Sequence, residues 1–67
     1  MTDALEYRIK LAKASHKQQM NMYEANIQDF REENKGRHEG CDYMLFRKEM
    51  LTGHRMAWNA LNDLLRG

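Results

Sequence analysis

Three histidines and one cysteine are the side chains best equipped for chemistry in this chain. His38, Glu39, Cys41 and Asp42 fall within five positions, and each can ligate a metal. A zinc site, however, is normally assembled from four ligands in two separated pairs. Here a single His-x-x-Cys fragment stands without a second half, so the segment reads as a solvated turn and no metal ligand set is assigned. Cys41 as a nucleophile would need a base, a group to orient that base, and a pocket. A chain of 67 residues offers no obvious pocket. The expectation is therefore a non-enzymatic protein without catalytic residues or cofactor. As the one cysteine, Cys41 forms no disulfide within the chain, which fits a reducing compartment.

His16 and His54 belong to apolar rows rather than to polar surroundings. A buried imidazole there would sense pH, bind metal or hydrogen-bond across a core. The spacing predicts that they lie at different levels of a folded hairpin and share no ligand within one chain. The simplest role for each is a core histidine satisfied by Tyr23, Gln19 or a backbone carbonyl.

Arg8, Lys10, Lys13 and Lys17 make the first half of the opening segment basic, and Glu24, Asp29, Glu32 and Glu33 make its second half acidic. Lys10, Lys13 and Lys17 share one stripe, which would track phosphates in a nucleic-acid complex. Yet 11 basic residues are offset by 10 acidic ones, leaving a net charge of +1. The preferred reading is a solvated flank, with nucleic-acid binding through these four residues as the alternative. The same polarity also suits antiparallel packing of two copies of the segment.

The elements that position these groups follow from punctuation. Proline is absent and glycine occurs four times, at 36, 40, 53 and 67. Asp3 is the expected N-cap, with Glu6 completing a capping box. Leu5, Ile9, Ala12, His16, Met20, Tyr23, Ile27 and Phe30 then recur at the helical period. Gly36 suits the left-handed position after a helix, and Asp42 caps or enters a second helix. The sequence thus predicts one all-α domain over residues 1–67, with a helix at about 3–34, a loop at 35–41 and a helix at 42–66. A short connection makes the helices antiparallel neighbours. The pairing expected is Phe30 with Phe46, Ile27 with Met50, Tyr23 with His54, Met20 with Ala57 and His16 with Leu61.

The apolar arc of the first helix is roughly 100° wide, while that of the second spreads over roughly 160°. One neighbour cannot cover the wider arc. Met44, Leu51, Trp58 and Leu65 are expected to remain as an exposed stripe, the mark of an interaction surface. Gly53, Ala57 and Ala60 form a small-residue strip that permits close approach by another helix. A core this small also gains from oligomerisation. The expectation is a homodimer closing into a four-helix bundle with coiled-coil packing, its interface Met44, Leu51, Trp58, Leu65 and Gly53; the alternative is a hetero-partner whose groove takes Trp58 as the aromatic anchor. Leu11 and Met22 are a second contact, for another protein.

No apolar run approaches the ~20 residues of a membrane span, and the opening residues lack a signal-peptide pattern. The expectation is a cytoplasmic protein that contacts no membrane. Its function is read as a helical interaction protein that self-associates and modulates another protein. An accessory or inhibitor protein of a phage or mobile element fits that description.

Overall fold

A computed structural model describes residues 2–66; Met1 and Gly67 lie outside the described residues. Two helices, α1 (Asp3–Glu33) and α2 (Asp42–Arg66), pack against each other as a hairpin. Long uninterrupted helices are what a proline-free chain with central glycines permits.

The start of α1 differs by one residue from expectation. Thr2 is the N-cap: its backbone is extended and its hydroxyl accepts from the Leu5 amide at 3.3 Å. Asp3 is already helical and the Glu6 amide makes the first helical bond, to the Thr2 carbonyl, so the third helical position that a capping box needs falls on Leu5 and not on Glu6. Asp3 and Glu6 still place negative charge at the positive end of the helix dipole.

The end of α1 is a Schellman turn. The Gly36 amide donates to the Arg31 carbonyl at 2.9 Å and the Lys35 amide to the Glu32 carbonyl at 3.4 Å. The left-handed position that glycine normally takes is held by Lys35, with φ of 51°, and Gly36 follows with φ of 78°. Asn34 reinforces the turn through its side-chain amide, which donates to the Phe30 carbonyl. Cys41 lends its carbonyl to the Leu45 amide, and Asp42 occupies the first turn of α2.

Glu39 ties the loop to both helices. Its carboxylate accepts from Arg31 on α1 at 2.6 Å and from Lys48 on α2 at 2.8 Å. Those two hydrogen bonds, Arg31 first, hold its carboxyl at about 2 rather than the ordinary 4.5. Of the four potential ligands around the loop, this one is therefore engaged in closing the hairpin.

The core is a single seam. Ile9, Met20 and Ile27 on α1 recur along its inner face, and Met44 of α2 has no exposed surface at all. Phe30 stacks on Tyr43 with ring centroids 4.7 Å apart. This corrects the expected stripe of α2. Met44 is buried in its own chain, and Leu51, Trp58 and Leu65 are half-buried beside it, while Phe46, expected in the core, stands 54% exposed. The physical reason is area. A row of Met, Leu, Trp and Leu removes more apolar surface from water than the neighbouring row containing Gly53, Ala57 and Ala60, and stabilisation scales with that area. Given one neighbour, the helix turns its larger side chains towards it.

Candidate protein-interaction surface

The two flanks of the hairpin differ in character. Along one flank lie the ion pairs found among the described residues: Lys10 with Glu6, Arg55 with Glu24 across the helices, and Arg31 and Lys48 on Glu39. An open groove of about 500 Å³ on this flank is bordered by Glu24, Arg31, Lys48 and Arg55. Lys13 belongs here too. Its ammonium donates to Asn62 at 2.9 Å and sits 4.8 Å from the centre of the Trp58 ring, a cation–π contact worth about 0.5–1 kcal/mol at a partly exposed site.

Helical geometry places a different set on the opposite flank. Phe46, Met50, Gly53, Ala57, Ala60 and Leu64 follow one another at alternating steps of four and three, which is the seam spacing of a coiled coil. None of the six carries charge. Phe46 and Leu64 stand more than half exposed, and Gly53 lies open between them. A methyl group added at Gly53 would meet no atom within 4 Å. Glycine in an exposed helix interior costs about 1 kcal/mol relative to alanine, and nothing inside the hairpin accounts for it. The matching flank of α1 bears Ala12, Ser15, Gln19 and Asn26, with Arg8 near one end and Glu33 at the other.

The expected dimer residues thus separate. Gly53 lies on the uncharged flank, whereas Met44 is inside the seam and Leu51, Trp58 and Leu65 border it. Leu11 and Met22 are exposed on α1, as are Leu45 and Met56 on α2. The basic stripe is not a free row. Lys10 is paired with Glu6 and Lys13 is drawn onto Asn62 and Trp58, while Lys17 is exposed and Arg8 sits on the other flank.

His16 and His54 come together, contrary to expectation. Their Nδ1 atoms are 2.8 Å apart, so one ring must donate a proton there and the other accept it. Tyr23 stacks on His54 at 5.9 Å. One turn of offset between their levels is only about 5.4 Å, which two imidazoles span by leaning towards each other. An open depression of about 390 Å³ beside the pair is lined by His16, Glu49, Met50, Gly53 and His54, so one carboxylate borders the row from Phe46 to Leu64. Among the described residues no three His, Cys, Asp or Glu side chains converge to hold a metal ion. Nor is any described helix long and apolar enough to cross a membrane.

Compared with known proteins, the chain matches no family model, no curated protein and no solved structure. What sequence reasoning missed was the outward placement of Phe46 and Leu64. The signal was present in the alternating four-and-three spacing, once Gly53 is taken as a member of that row.

Proposed function

We propose that this chain is a non-enzymatic helical interaction protein that self-associates through the uncharged flank and binds another protein. One observation carries the reading: a row without charge runs from Phe46 to Leu64, exposed at Phe46, Gly53, Ala60 and Leu64 and half-buried at Met50 and Ala57, while the ion pairs among the described residues lie elsewhere. Contiguous exposed apolar surface is what association sites present, and Phe46 and Leu64 stand more than half exposed at the two ends of the row. The hairpin is 48 Å long, and the row from Phe46 to Leu64 runs along about 27 Å of it. Closing that row would give the four-helix bundle. The outward residues Leu11 and Met22 then remain available to a second protein.

The test is sedimentation equilibrium of the full chain from micromolar to millimolar concentration, at low and high salt. An apolar interface predicts a dimer that persists at high ionic strength. A chain that stays monomeric throughout would overturn self-association. Nuclease-treated capture experiments with the parent and a Leu11→Glu, Met22→Glu variant test the second contact: a stoichiometric protein bound only by the parent supports it. Material lost on nuclease treatment and at high salt would instead establish phosphate binding.

A further inference from the structure

We infer that the partner on the uncharged flank is a second copy of this chain, docked antiparallel about a two-fold axis level with Gly53 to Ala57, so that α2 lies on α2 and α1 on α1. This rests on the self-association proposed above and specifies its geometry. Three observations support it.

The first is shape. An axis level with Arg55 sets Gly53 of one copy against Ala57 of the other, Met50 against Ala60, and Phe46 against Leu64. Small residues meet at the centre, where the empty space over Gly53 admits the partner's backbone closely. Larger side chains meet at the ends, where Phe46 and Leu64 are each more than half exposed in the hairpin. Such a patch is self-complementary under a two-fold rotation, as an isologous dimer requires.

The second is charge. Contacts of Lys13 with Asn62, of His16 and Tyr23 with His54, and of Phe30 with Tyr43 together put Gln19 about level with the axis on α1. The rotation then brings Arg8 level with the partner's Phe30, within one turn of the partner's Asp29 and Glu33. A parallel pair would instead stack Arg8 on Arg8 and Glu33 on Glu33, which is unfavourable.

The third is area. Antiparallel overlap with centred helices covers the whole flank, whereas a shifted alignment leaves Leu64 or Phe46 in water. The middle of the resulting bundle carries His16, Gln19 and His54 from each copy, a polar layer of the kind that fixes register at a cost in stability.

Disulfide trapping tests the geometry. In a Cys41→Ser background, Phe46→Cys and Leu64→Cys are made as separate variants, with helix content checked by circular dichroism. The two Phe46 positions lie about 27 Å apart along the bundle, so neither variant should link to itself. A mixture of the two should give the mixed dimer at least tenfold faster under a thiol redox buffer. Arg8→Glu should weaken dimerisation several-fold, and adding Glu33→Arg should restore it. Self-linking of Phe46→Cys at the mixed rate, in a chain that sediments as a dimer, would overturn the antiparallel register while leaving self-association standing. A monomer in sedimentation with no trapping in any mixture would remove both.

Discussion

Replacing Met44 by alanine separates an internal seam residue from a surface contact. Met44 is the one described side chain with no exposed surface. The substitution removes its thioether and terminal methyl from a site enclosed by both helices. Large-to-small changes of this kind cost about 2–5 kcal/mol, combining lost transfer energy with the cavity left behind. For a domain of this size each kcal/mol moves the melting temperature by roughly 4–8 °C. Met44→Ala should therefore melt at least about 8 °C below the parent, and at the upper end it should be largely unfolded at room temperature. Met56→Ala, at a position 66% exposed, serves as the control and should stay within about 0.5 kcal/mol. The assay is thermal and urea unfolding followed by circular dichroism, at one fixed protein concentration because association shifts apparent stability. If Met44→Ala melts with the parent but loses association, Met44 faces outward and the packing argument from apolar area is wrong.

Other outcomes follow from local geometry. Lys35 sits left-handed where glycine is normal, so Lys35→Gly should stabilise the hairpin by about 1 kcal/mol in urea melts, since a left-handed non-glycine residue costs about 1–2 kcal/mol. Gly36→Ala, with φ of 78° and open space around it, should destabilise by a similar amount on the same backbone ground; an unchanged melt would contradict the turn. Glu39 has a folded pKa of about 2 against an ordinary 4.5, so its ion pairs add stability in full above about 4.5, and that contribution is lost as pH falls towards 2. A carboxyl-carbon NMR titration should place Glu39 near 2, and Glu39→Gln should flatten the acid limb of the stability profile; a midpoint near 4.5 would dissolve the proposed loop staple. His16→Ala and His54→Ala should be non-additive, with a coupling of about 0.5–1.5 kcal/mol for one hydrogen bond, whereas additive losses would mean the rings do not meet.

The hairpin was legible because its signals are local. Absent proline, the glycines near residue 36 and the helical recurrence from Leu5 to Phe30 need no knowledge of what packs where. The excess width of the apolar arc of α2 was equally plain, and with it the need for a further partner. Which side of that arc turns inward was not legible. It depends on comparing the area of Met44, Leu51, Trp58 and Leu65 with that of a row interrupted by Gly53, Ala57 and Ala60, a competition between packings rather than a property of one helix. The meeting of His16 and His54 was hidden for a related reason: helix levels fix Cα positions, while the reach of two leaning side chains bridges a full turn. Thr2 displaced Asp3 as the cap because either residue satisfies an N-terminal amide, and sequence preference does not separate neighbours one position apart.

The most direct measurement is sedimentation equilibrium of Gly53→Glu beside Gly53→Ala, with circular dichroism on the same samples. Neither side chain meets an obstacle at its Cβ within the hairpin, so both variants should remain helical. The parent should sediment as a dimer, twice 8.0 kDa, and Gly53→Glu as a helical monomer, because a carboxylate on this flank would be driven between two apolar faces. A Gly53→Glu chain that dimerises as tightly as the parent would contradict an interface on this flank.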